Sequence, residues 1–168
     1  TLREWFTGEA DRRGMTGEED RNGNVWAGWM PAGWIGGPVG AFVTGSHLDS
    51  VPDGGAFDGP LGVVSAFHAV DLLRARGVEP VIPIAVVAFA DEEGARFGVA
   101  CVGSQLSTGA LTAERALSLR DNDGTTLADA LRGAGRDPAH LGVDDTLTER
   151  VGVYVELHVE QGRALTDL

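Results

Sequence analysis

Apolar and polar positions follow two periods along this chain, and the changes from one to the other lay out its elements. Thr1 to Phe6 reads as the interior of an amphipathic helix. Met15 to Glu19 and Val25 to Met30 flank the turn dipeptide Asn22-Gly23, which predicts a hairpin with a tight turn. Gly33 to Gly40, with Pro31 and Pro38, is a loop. Ala41 to Ser46 is a short apolar run ending in His47, and Gly59 to Arg76 then shows helical spacing through Leu61, Val64, Phe67, Leu72 and Leu73, closed by Gly77. Ile82 to Ala90 is a continuous Val- and Ile-rich run, the pattern of a strand buried on both faces of a parallel sheet. Thr125 to Gly133 predicts a second helix, capped by Thr125 or Thr126 and ended by Gly133, and Val151 to His158 predicts another core strand. The class is α/β with a βαβ unit, and such sheets place their sites at the carboxyl ends of the strands.

Composition narrows the picture without changing it. A chain of 168 residues, 43% apolar and 23% charged, is expected to form one compact domain with its own core. A formal charge of -12 repels nucleic acid and anionic membrane surfaces, so the expected partner is a small molecule, with no nucleic acid and no membrane. The single cysteine, Cys101, permits no disulfide within the chain and suits a reducing compartment; it reads as a small buried residue. The longest apolar stretch is too short to cross a bilayer, and the first residues lack the pattern of a signal peptide, so the expected location is the cytoplasm. The chain opens without methionine on what reads as helix interior, and an artificial cut is expected there.

Chemistry-bearing residues gather where three predicted strands end. In Thr44-Gly45-Ser46-His47-Leu48-Asp49-Ser50, a spacing of two on extended chain sets His47 and Asp49 on one side. The carboxylate can then accept from one imidazole nitrogen while the other faces a metal. Asp58 precedes the predicted helix, and Gly54 and Gly55 free the loop to bring it back towards His47. Taken alone, Asp58 is as readily an N-cap. Asp91-Glu92-Glu93 follows the buried strand; alone it would be a solvated loop, but at a strand end adjacent acids point different ways, so one can bind metal while its neighbour serves as a base. Glu156 to Gly162 places His158 after a third apolar run. His68 and His140 have no acidic strand-end company and read as structural.

Three long segments, GSHLDSVPDGGAFDG from Gly45 to Gly59, FADEEGARFG from Phe89 to Gly98 and ELHVEQG from Glu156 to Gly162, together resemble the signatures of the carbamoylase and hydantoinase branch of the M20 metallopeptidase clan, in the same order. Members of that branch hydrolyse N-carbamoyl amino acids, allantoate and related ureido compounds. The resemblance implies a three-layer α/β sandwich of zinc-exopeptidase type with a largely parallel central sheet. It implies two divalent ions (zinc, manganese, cobalt or nickel), one held by His47 and His158 and the other by Glu93, with Asp58 bridging them. It makes Glu92 the catalytic base acting on a bridging hydroxide, Asp49 the residue that orients His47, and Gln161 a substrate contact.

The resemblance spans nearly the whole chain, whereas the family continues for more than as much again. Residues 1–168 are therefore expected to be part of a metal-dependent catalytic domain. A lid or dimerisation domain and a C-terminal part with a last metal-binding histidine would lie beyond it, and the full-length enzyme is expected to be a homodimer. By themselves these residues are expected to bind fewer than two ions and to be inactive. Two rival readings stand beside the ureido amidohydrolase: an aminoacylase or peptidase of the same clan, and a non-catalytic fragment.

Overall fold

The computed structural model describes residues 1–165. Its elements are α1 (Leu2–Arg12), β1 (Thr16–Glu19), β2 (Val25–Trp29), β3 (Ala41–His47), α2 (Pro60–Ala75), β4 (Ile84–Phe89), α3 (Val102–Thr108), α4 (Ala113–Ser118), α5 (Leu127–Gly133), α6 (Leu147–Arg150) and β5 (Val151–Val155). They form one five-stranded sheet in the order β1-β2-β4-β3-β5. The β4, β3 and β5 strands run parallel, and β2 is antiparallel to both its neighbours, β4 and β1.

Strand β4 is the central strand, between β2 and β3, and is covered on both faces, as its unbroken apolar run predicts. Val86 and Ala88 point into a core with Phe6 and Ala10 of α1 and Val63, Ala66, Phe67 and Val70 of α2. Ala85 and Val87 point the other way, to Trp26, Val43 and Leu147 of α6. Helices thus cover both faces of a mostly parallel sheet, and a third cluster, of Val102, Leu106, Leu111, Ala116 and Leu141, binds α3 and α4 alongside. No helix among the described residues is long and apolar enough to cross a membrane.

Several expectations change in detail. Thr1 stands at the N-cap position of α1, and its hydroxyl accepts from the Glu4 amide in a capping box. The hairpin is real, but its connection is five residues, Asp20 to Asn24, gathered around the Asp20 carboxylate, which accepts from the amides of Asn22 and Asn24 and from Trp26 Nε1. On α2 the buried stripe is Val63, Ala66, Phe67 and Val70, a spacing of three, one and three, while Val64 and Leu72 are exposed. Strand β4 starts at Ile84 and not Ile82, because Pro83 has no N–H to give the ladder. Helix α5 is capped by Thr126 and runs through Gly133 to end at Ala134, one residue beyond the expected stop. The clearest departure is β5, expected in the core: it pairs with β3 alone and lies at the sheet edge, with Val153, Tyr154 and Val155 exposed.

Candidate metal centre

The parallel strands β3, β4 and β5 bring their carboxyl ends to one edge of the sheet, and the candidate residues come with them. His47, the last residue of β3, is 2% exposed. The loop after it turns back through Asp53 and Gly55, both at positive φ, and delivers Asp58 to a position 4% exposed. The competing role for Asp58 is not taken. Helix α2 is capped by Gly59, with no side-chain hydrogen bond at the cap, so the Asp58 carboxylate is left for the site. Gly59 is required there twice over: its φ is 65°, and a Cβ would lie 2.4 Å from atoms of the His47 ring.

Both histidines are presented in the same way. His47 Nδ1 lies 2.9 Å from the Asp49 backbone oxygen, and His158 Nδ1 lies 2.8 Å from that of Val159. Donation from Nδ1 leaves Nε2 as the free lone pair. The two Nε2 atoms flank one oxygen, Asp58 Oδ1, at 3.9 Å from His47 and 3.4 Å from His158. These separations are too long for good hydrogen bonds and suit donors arranged around a common point. The two rings stack with centroids 5.8 Å apart. Ligand atoms of His47, Asp58 and His158 all fall within 4.8 Å of one another, and those of His47, Glu92 and Glu93 do the same.

Hydrogen bonding between the Asp58 and Glu93 carboxyls holds Asp58 below the usual carboxylate range and raises Glu93. Asp91, the first acid of the run, belongs to neither ligand group, and burial, aided by the Asp49 charge, pushes it up to about 6. His158 is raised above the ordinary histidine value, first by its bond to the Val159 carbonyl and then by Glu156, Asp58 and Glu92. Mixed imidazole and carboxylate donors converging on one volume, two of them nearly fully buried, fit a divalent ion of the zinc, manganese, cobalt or nickel kind.

Asp49 departs from its expected contact. Its carboxylate stands 3.7 Å from His47 Nδ1 and accepts instead from the Glu93 amide at 3.0 Å, so the hydrogen bond to His47 comes from the Asp49 main chain. The alternation that would put the two side chains together ends with β3 at His47. Glu92 Oε2 lies 3.5 Å from His47 Nε2, and its other oxygen accepts from the Cys101 thiol at 3.2 Å. Cys101, expected to be a small buried residue, is half-buried beside the candidate base, and burial together with Glu92 pushes the thiol up to about 11. Gln161 is exposed at the rim and hydrogen-bonds to Asp58. His68 and His140 are exposed elsewhere. Sequence reasoning passed over Cys101, Ser46, Tyr154 and Glu156. For Ser46 and Glu156 a signal was present, since each lies one or two residues before a candidate histidine at the end of a parallel strand.

Comparisons with known proteins agree with this geometry. The profile of peptidase family M20/M25/M40 matches residues 43–167. An N-carbamoyl-L-amino acid amidohydrolase of Geobacillus stearothermophilus is 49% identical over 125 residues, covering 74% of this chain and 30% of that protein. A ureidoglycolate hydrolase of Oryza sativa subsp. japonica is 35% identical over 168 residues, covering 97% of this chain and 34% of that protein. Among solved structures, a hydantoinase/carbamoylase family amidase from Burkholderia ambifaria superposes with a TM-score of 0.79 at 37% identity, over 98% of this chain and 39% of that one. The chain thus spans about a third of the length of the curated relatives it matches.

Proposed function

The chain belongs to peptidase family M20/M25/M40, and from that premise we propose that residues 1–168 are part of the catalytic domain of a two-metal amidohydrolase that cleaves the ureido amide bond of N-carbamoyl amino acids or allantoate-like compounds. The observation that carries the reading is the convergence of His47, Asp58 and His158, with Glu92 and Glu93 alongside, at the ends of three parallel strands. The names of the relatives, an N-carbamoyl-L-amino acid amidohydrolase and a ureidoglycolate hydrolase, support the choice of substrate class.

In this reading His47 and His158, with Asp58, would hold one divalent ion, and Glu93 with Asp58 would hold a second. Bound divalent ions would polarise the amide carbonyl and acidify a water molecule. Glu92 is the general base: one oxygen opens towards His47 while the other is held by the Cys101 thiol, so its carboxylate is fixed in the volume where the reacting water must lie. It takes the proton of the attacking water and returns it to the leaving nitrogen. Asp49 fixes the Glu93 main chain through its carboxylate and the His47 ring through its carbonyl, and so ties one ligand from β3 to one from the end of β4. Gln161, at the mouth, is the substrate contact.

The test is to supply the intact protein with zinc, manganese, cobalt or nickel and assay N-carbamoyl amino acids and allantoate beside N-acyl amino acids and dipeptides. Turnover confined to the ureido compounds is expected. Preference for acyl amino acids or peptides would assign the aminoacylase or peptidase activity instead, and no turnover of any of them would leave the non-catalytic reading.

A further inference from the structure

The hydrogen-bond ladder between β3 and β5 gives out before the site is reached. Its last pair is Thr44 opposite Val155, and three further residues on each strand lead to His47 and His158. The two imidazoles therefore stand in matching register, on segments that no ladder pair holds together. Side chains take over at this point. The Glu156 carboxylate accepts from the Ser46 hydroxyl through Oε1 and from the Tyr154 hydroxyl, 2.8 Å away, through Oε2. The Tyr154 hydroxyl also lies 3.3 Å from the Gly45 carbonyl oxygen, so it touches both strands. Ser46 is 1% exposed and directly precedes His47. Tyr154 packs edge-on against Phe89 at the end of β4, which fixes its ring. Burial first, and Glu156 second, raise the Tyr154 hydroxyl well above its ordinary value, so it stays a donor.

From the other side, α2 closes on the same junction. A Cβ at Gly62 would lie 2.7 Å from the Leu157 carbonyl oxygen and 2.7 Å from Ser46 Cβ, so the first turn of the helix already touches both segments.

We propose that Glu156 is a positioning residue: it latches the segment carrying His158 to β3 through Ser46 and Tyr154, and thereby sets the separation of the two histidines. This rests on the metal-centre reading above. Glu156 acts through His158, whose segment this latch and the Gly62 contact align with His47.

The test measures zinc affinity of the intact protein by competition with a chromophoric chelator, the d–d spectrum of its cobalt form, and its melting temperature. Glu156→Ala should weaken zinc binding by about tenfold or more, the usual scale for losing a group that orients a ligand, and should shift the cobalt bands with little change in melting temperature. Glu156→Gln keeps an acceptor oxygen and should recover part of the affinity. Tyr154→Phe and Ser46→Ala should each weaken zinc binding less than Glu156→Ala. Parental affinity and cobalt spectrum in Glu156→Ala would overturn the latch. If that variant does not fold, parental affinity in both Tyr154→Phe and Ser46→Ala would overturn it equally, as would an affinity loss that only tracks a fall in melting temperature. Failure of the metal-centre reading looks different: the parental protein would bind no zinc, or His47→Ala would bind it as well as the parent.

Discussion

Hydrogen bonding between the Asp58 and Glu93 carboxyls lowers Asp58 and raises Glu93, and a carboxyl must be deprotonated to act as a ligand. Binding of zinc should therefore release protons into a weakly buffered solution, as read by an indicator dye. The sign follows from Glu93: its carboxyl is raised, so the proton is held over a range where an ordinary glutamate has lost it, and metal affinity falls as pH drops through that range. Glu93→Gln should release fewer protons and bind less metal; unchanged release in that variant would remove the pair from the site. Glu92 plays a different part. Glu92→Gln should retain the fold and the metals and lose about a hundredfold or more in turnover, the usual scale for a general base. Near-parental turnover at normal metal content would deny Glu92 that role. The positions of His47, Glu92 and Glu93 were legible because each ends or follows an apolar run, and a polar group there sits at the carboxyl end of the sheet. The Asp49 carboxylate was not, since its direction depends on how the chain bends after β3 has ended.

Among the elements, the β3–α2 connection decides whether the site exists. Gly59→Ala would add a Cβ into the His47 ring at a residue with φ 65°, and should destabilise the protein by about 1–3 kcal/mol and abolish metal binding. Parental stability and metal content in a thermal melt and elemental assay would contradict that packing. Farther from the site, Arg13 at the end of α1 grips Asp71 of α2 through two hydrogen bonds of 2.8 and 2.6 Å. The Arg13 bond holds Asp71 below its ordinary value, so its contribution is present above the unfolded carboxylate pKa, near 4, and is lost as pH falls through the lower folded value. Asp71→Asn should therefore narrow the stability gap from the parent in acid and widen it at neutral pH, as followed by denaturant melts at several pH values. Helix α2 could be read from the chain because its periodic stretch is long, and strand β4 because its apolar run is unbroken. The edge position of β5 could not: its valines and Tyr154 look like core, and the count of neighbouring strands is not written in a local pattern.

At the scale of the whole molecule, a chain carrying a formal charge of -12 collects Asp49, Asp58, Asp91, Glu92, Glu93 and Glu156 at one edge of its sheet, with only two histidines among them. Such a concentration of acids is stabilised by cations, which is why the sheet topology and the charge point to the same function. The parallel pairing of β3 with β4 was foreseen from the βαβ pattern, whereas the α3–α4 cluster was not, because helices of seven and six residues leave too short a period to read. The central claim is tested most directly by a crystal structure of the zinc-loaded intact protein with anomalous scattering measured at the zinc edge. We expect one anomalous peak about 2.0–2.2 Å from His47 Nε2, His158 Nε2 and an Asp58 oxygen, and a second at the same range from Asp58 and Glu93. Zinc bound elsewhere, or His158 turned away from His47 with no shared peak, would contradict the account.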